Sequence, residues 1–210
     1  TRVGGATSPG PETERPSDSQ RATHARGGGS TPGAHGTGNG TQQQLALVGF
    51  PRTIGWNEFR KVTRRPPGVH EDALIATETS PGRVSMADDG NQWKLTELKL
   101  RIVVNREQSW VVESMKSPDL LAHEQGHFDI HGIIVGRDLL ESLRRMRARS
   151  SQRLARQVRR AMQQAQRDAQ QFTNNYDDDT NHGLDSTRQA AWESMISNAI
   201  NNNSRLSSPG

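Results

Sequence analysis

Ser117-Pro118-Asp119-Leu120-Leu121-Ala122-His123-Glu124-Gln125-Gly126-His127-Phe128-Asp129-Ile130 is the stretch on which the reading of this chain turns. A serine hydroxyl, a proline where no amide donor is needed and an acid beside the positive end of a helix dipole make a start signal. Leu120, Leu121, Phe128, Ile130, Ile133, Ile134, Leu139, Leu140 and Leu143 then recur at helical intervals, up to the basic run Arg144, Arg145, Arg147, Arg149 that suits a C-terminal turn. The spacing predicts one long, mostly buried helix over about 117–149. Gly126, Gly132 and Gly136 each weaken such a helix by about 1 kcal/mol relative to alanine, which is understandable where another backbone or a ligand packs close.

Two histidines at i and i+4 project from one face of a helix, so the rings of His123 and His127 can reach a single tetrahedral metal while Glu124 points at its bound water. Burying both rings and a carboxylate without partners would be costly, and one Zn2+ ion offsets that cost directly. The residues therefore point to a zinc metallopeptidase; a histidine pair satisfied by ordinary hydrogen bonds is the bland alternative.

Hydrolytic zinc keeps three protein ligands, so a third must come from elsewhere. Ile130 and Ile133 stand where the metzincin extension has glycine and histidine, which excludes that class, and Arg147 occupies the customary position of a thermolysin-like glutamate. His131 lies two turns beyond His123 and cannot share one metal with both other histidines on an intact helix. Tyr176-Asp177-Asp178-Asp179-Thr180-Asn181-His182-Gly183, placed between two helical segments, is dense in ligand chemistry. Within it His182 is the expected third ligand. An acidic turn capping the next helix, or a calcium loop, is the alternative for this stretch, although its spacing does not fit the calcium-loop pattern.

These residues carry a resemblance. Trp56-Asn57-Glu58-Phe59, Ser109-Trp110, Leu120 to Ile130, Tyr176-Asp177, Thr180-Asn181-His182-Gly183 and Gln189 with Trp192 resemble the signature of a small bacterial family, first met as a domain of unknown function and described as secreted zinc-dependent proteases. The resemblance spans about residues 45–200. It implies a zincin-like fold, peptidase activity, a protein or peptide substrate and a secreted or cell-envelope location. Carried over residue by residue, it supports His123, His127 and His182 as metal ligands and Glu124 as the catalytic base, with Tyr176 near them.

Tyr176 could donate to an oxyanion, or anchor the turn as a core residue. Asp129 and Asp179 could orient ligand imidazoles, or stand as solvated surface acids. Trp56, Trp110 and Trp192 are assigned to the core.

Residues 1–41, rich in Gly, Ser, Thr and Pro and without an apolar run, read as a disordered leader or linker; 42–202 read as one domain and 203–210 as a flexible tail. Alternation through Leu98, Leu100, Ile102 and Val104 marks a half-buried strand, with Asp88-Asp89-Gly90-Asn91 as a hairpin turn before it. Ala73–Thr79 and Trp110–Glu113 are weaker strands. Leu154 to Phe172 and Trp192 to Ile200 continue helical patterns. Strands followed by helices predict an α+β fold: a small antiparallel sheet, then three helices, the motif on the central one. Residues 97–104 could form a substrate-binding edge strand or sit in the sheet core.

Charge supplies a second reading. The chain has 27 Lys+Arg against 23 Asp+Glu, and nine arginines fall between 144 and 167. Such a stripe could make the chain a non-catalytic, metal-stabilised module binding an anionic partner, although a solvated helical face is the commoner explanation and nucleic acid is not the expected partner. Zero cysteines exclude disulfides and thiolate zinc sites. No apolar run approaches membrane-spanning length. The start at Thr1, without methionine or signal peptide, reads as a processed product or an excerpt. Oligomeric state is not legible.

Overall fold

The computed structural model describes residues 43–207. The leader expected over 1–41, and residues 208–210 of the expected tail, lie outside the described residues.

The alternating stretch becomes the backbone of the main sheet. Strand β5 (Trp93–Val104) lies between β1 (Gln44–Val48) and β4 (Thr77–Asp88), parallel to the first and antiparallel to the second, and β7 (Arg147–Ala148) pairs with its beginning. Leu98, Leu100, Ile102 and Val104 turn inward on alternate positions. Pairing with β4 is irregular between Ser85 and Met86, and this bulge lets Leu95 face the core as well. Asp89 closes the expected hairpin, its carboxylate accepting from the amides of Asn91 and Gln92. A smaller sheet has β6 (Trp110–Val112) between β2 (Arg60–Val62), parallel to it, and β3 (Ala73–Leu74), antiparallel.

The sheets are therefore mixed, which corrects the expected antiparallel sheet. Parallel pairing of β1 with β5 and β2 with β6 joins segments far apart in sequence, so no local turn signal announces it. Of the two places open to residues 97–104, the structure takes the sheet interior, with β5 between β1 and β4.

The long helix begins as read. Ser117 Oγ accepts from the Leu120 amide, Pro118 takes the first position and Asp119 the first turn. Helix α1 (Pro118–His131) passes through a π-helical segment, Gly132–Asp138, into α2 (Leu139–Arg145). The widened turn starts at Gly132, where a Cβ would collide with the Phe50 ring. The rod ends at Met146, whose backbone turns extended so that Ala148 can pair with Trp93; residues 147–149 are thus outside the helix expected to include them.

Helix α3 (Ser151–Thr180) is longer than its apolar pattern suggests and takes Tyr176 to Thr180 into its last turn. Asn181 and His182 then adopt left-handed backbone conformations, and Asp185 caps α4 (Ser186–Asn201). The rod of α1, π segment and α2 touches three apolar clusters. Leu139, Leu140 and Leu143 meet β5 and α3, Phe128 meets Ile54, Ile102 and Val111, and Ile130 and Ile133 meet Tyr176, Trp192 and Ile196. Arg137 donates to the carbonyls of Ala199 and Ser204, and Leu206 packs against the third cluster, so 203–207 lie along the domain. No helix among the described residues is long and apolar enough to cross a membrane.

Candidate metal centre

Helix α1 presents His123 and His127 one turn apart, and the last turn of α3 brings Asp177 between them. His123 Nε2 stands 3.2 Å from His127 Nε2 and 3.1 Å from Asp177 Oδ1, and His127 Nε2 stands 2.9 Å from the same oxygen. The three atoms form a nearly equilateral triangle. Around a tetrahedral zinc with bonds of about 2.0–2.1 Å, ligand atoms lie about 3.3 Å apart, so the triangle has the size of one face of such a site. Among the described residues, these three make the group with metal-ligand geometry.

Electrostatics hold the triangle together without a cation. Burial pulls the His127 imidazole down, but the Asp177 hydrogen bond and the charges of Glu124 and Asp177 outweigh it and raise the ring above its ordinary value. Burial pushes the Asp177 carboxyl up, and the hydrogen bonds and charges of the two histidines hold it well below the usual carboxylate range. Glu124 is 2% exposed and shifted upward by burial, against the pull of His127 and His123. Its Oε2 and His127 Nδ1 are buried without hydrogen-bond partners among the described residues. Polar atoms of that kind are rare in interiors and point to a missing ligand or reactant.

The His123 ring is locked from every side. It stacks on Tyr176, with ring centroids 4.7 Å apart and planes 18° from parallel, and Gly183 presses on its edge. Its Nδ1 meets Gln189 Oε1 at 3.2 Å, an acceptor for the Nδ1 proton whenever a metal takes the Nε2 lone pair. Gln189 Nε2 donates to the Tyr176 hydroxyl at 2.7 Å, and that hydroxyl donates to the His123 carbonyl at 3.2 Å. Tyr176 is fully buried and packs on Trp192; its hydroxyl is taken up by this scaffold. Its place is beneath the two histidine rings, and it is not itself part of the cleft lining.

Gly126 exists for this packing. A Cβ there would stand 2.6 Å from Tyr176 Cζ, and the ring is wedged against His123, His127 and Trp192. Gly126→Ala gains about 1 kcal/mol of helix propensity and loses more to overpacking, at the upper end of the roughly 1–3 kcal/mol range. The expected result is a net loss of about 2 kcal/mol, seen as a fall in Tm and in bound metal.

The third vertex, expected at His182, is held by Asp177. His182 follows the end of α3 in left-handed conformation, 48% exposed in its side chain, with Nδ1 3.8 Å from Asp177 Oδ1. It lines the cleft beside the triangle. Neither Asp129 nor Asp179 touches an imidazole: Asp129 accepts from Gln125, and Asp179 from the Trp192 indole. Gln189 does the orienting. It falls three residues before Trp192, in helical register with the buried stripe Trp192, Ile196 and Ala199, and that register is the sequence signal for it.

The triangle opens on a cavity of about 520 Å³ whose wall includes Glu124, His131, residues 70–77 and one face of α3. His131 Nε2 meets Thr79 Oγ1 at 2.7 Å, and burial pulls the ring down to about 4, so it is neutral at neutral pH.

Residues 84–183 match a family model described as a bacterial protein of unknown function (DUF922). The match takes in the helix carrying His123, Glu124 and His127, and ends at Gly183. No curated protein and no solved structure matches the chain.

Proposed function

We propose that this chain is a zinc-dependent peptidase of zincin type, with His123, His127 and Asp177 as ligands and Glu124 as general base. The observation that carries the reading is the 2.9–3.2 Å triangle of donor atoms beside a buried carboxylate with an unpartnered oxygen. The donor set fits zinc: two imidazoles and a carboxylate, with one ring already oriented by Gln189. Zinc, when bound, supplies Lewis acidity, bringing the pKa of a water toward about 7 and polarising a carbonyl.

Glu124 follows His123 on the helix and faces the cleft without belonging to the triangle. From there its carboxylate accepts the proton of the attacking water and returns it to the leaving amine. Asp177 in place of a third imidazole puts one negative charge into the ligand set. Tyr176 and Gln189 are positioning residues that keep the His123 ring aimed into the triangle. His182 stands on the cleft wall as a donor to a bound peptide. A secreted or envelope location follows from the family resemblance and is part of the same proposal.

Purified protein is expected to carry one zinc ion per chain and to cleave a mixed protein substrate. A chelator should remove both metal and activity, and added zinc should restore them. Metal-free protein of undiminished activity would sink the reading.

A second reading rests on α3. Its first turn has no acid, and Arg153, Arg156, Arg159 and Arg160 are exposed with no ion-pair partner among the described residues. Arg153 lies in that first turn, where a cation is unfavourable by about 0.3–1 kcal/mol, and a bound polyanion would relieve this cost and pair with the three arginines that follow it. Neutralising these arginines should leave hydrolysis intact under the first reading and abolish binding under the second.

A further inference from the structure

The cleft changes character along its length. At the His123 end it is apolar. Leu120 precedes His123 by one helical turn, Leu184 follows the glycine that presses on the His123 ring, and Leu74 adjoins Ile75, whose backbone bears on Glu124. Leu184 is 80% exposed and Leu74 41%, both large apolar side chains presented to solvent at the rim of one cavity. Of the charged residues in this part of the lining, Arg65 and Asp72 are joined in their own ion pair at 2.7 Å, and Glu71 accepts from the His70 amide.

Beyond His127 the wall is polar and uncharged. His131 lies one turn further along α1, and Thr173, Gln170 and Gln166 step back along α3 from Asp177. The Gln166 amide and the Thr173 hydroxyl make no hydrogen bond among the described residues, while Gln170 uses its Nε2 on Asn174 and keeps its oxygen free. The α3 wall from Asp177 to Gln166 is about 16 Å long at roughly 1.5 Å per residue. That is room for about five residues of extended peptide.

We propose that the cleft selects its peptide at two places: an apolar side chain at the end walled by Leu74 and Leu184, and an uncharged hydrogen-bonding side chain at the end walled by Gln166 and Gln170. The selection rests on the peptidase reading for its orientation across the ligands. An ammonium or carboxylate at the amide end meets no opposite charge, because the amides, the Thr173 hydroxyl and neutral His131 offer donors and acceptors but no counter-ion. Asparagine, glutamine, serine or threonine there satisfies those groups without giving up the hydration of a full charge.

The experiment uses one randomised peptide library in two ways: cleavage by the zinc-loaded wild-type protein, and retention on immobilised, zinc-loaded Glu124→Gln protein. Both selected sets are expected to carry leucine, phenylalanine or methionine at one position and an uncharged hydrogen-bonding residue a few positions away, with charged residues there depleted on the order of tenfold. Gln166→Glu combined with Gln170→Glu should turn that depletion into enrichment of lysine and arginine, leaving the apolar preference unchanged. Cleavage without selection overturns the two-place reading and spares the peptidase. Selective retention without cleavage spares the two-place reading and overturns the peptidase. Absence of both retires the two together, as does a selected set that ignores the double substitution for the two-place reading alone.

Discussion

Glu124→Gln is expected to lower hydrolysis by about 10²–10⁴-fold while zinc content stays at one ion per chain. The substitution keeps the volume of the side chain and removes its ability to accept a proton. At about 1.4 kcal/mol per decade the loss amounts to roughly 3–5 kcal/mol of barrier. Zinc should be retained because the three donor atoms of the triangle come from His123, His127 and Asp177 alone. Stability gives an independent reading of the same residue. Glu124 is 2% exposed with Oε2 unpartnered, and burial disfavours its charged form. A neutral amide at that position escapes most of this penalty, so the metal-free variant should melt no lower than metal-free wild type, and higher if the carboxylate is ionised there. A group that is costly to the fold and needed for the reaction is the signature of a catalytic residue. Retained hydrolysis in the variant would remove Glu124 from the mechanism; loss of zinc would make it a ligand instead.

What could be read without coordinates was local. The start of α1 is written in three consecutive residues, and the facing of His123 and His127 depends on nothing but helical spacing. The inward alternation of β5 and the turn before it were legible for the same reason. The third vertex was not. Asp177, Asp178 and Asp179 have poor helix propensity and look like a turn, yet α3 runs through them to Thr180. The helix is held in this stretch by Tyr176, buried under Gly126, and by Thr180, whose hydroxyl donates to the Tyr176 carbonyl and accepts from the Gly183 amide. The Thr180 bonds are local, but the burial of Tyr176 under Gly126 is tertiary, and no window of sequence reveals it. The five-residue offset between Asp177 and His182 then decides which side chain enters the triangle: one turns inward from the helix, the other follows the left-handed cap to the rim. Gln189 shares the helical register of Trp192, Ile196 and Ala199, but the register of a polar residue does not say which ring it meets across the fold.

The same offset yields the second large effect. Asp177→Ala is expected to weaken zinc binding by more than about 100-fold, beyond the roughly 10–100-fold that follows loss of an outer partner, whereas His182→Ala should stay within about tenfold of wild type. The pH dependence separates a ligand from a neighbour. In the metal-free protein His127 is raised above its ordinary 6.5 by Asp177 and Glu124, and Asp177 is held below its ordinary 3.8 by the two histidines. The raised imidazole stabilises the fold fully below pH 6.5 and loses that contribution as pH rises through its folded value. The depressed carboxyl contributes above 3.8 and loses its share as pH falls through its folded value. The pair therefore steadies the metal-free domain most between these two ordinary values. Zinc must displace the proton it holds, so affinity should fall as pH drops through the raised imidazole value, and binding near neutrality should release a proton detectable by calorimetry in buffers of different ionisation enthalpy. Asp177→Asn removes the negative charge that lifts His127, keeps a weaker neutral acceptor, and leaves burial, the largest cause and an opposing one, in place beside the charge of Glu124. In that variant less of the imidazole is protonated before the metal arrives, and the proton release at neutral pH should shrink along with most of the affinity. His182→Ala should keep the release. If the two variants exchange these behaviours, the third ligand is His182, and Asp177 only neutralises the pair beside it.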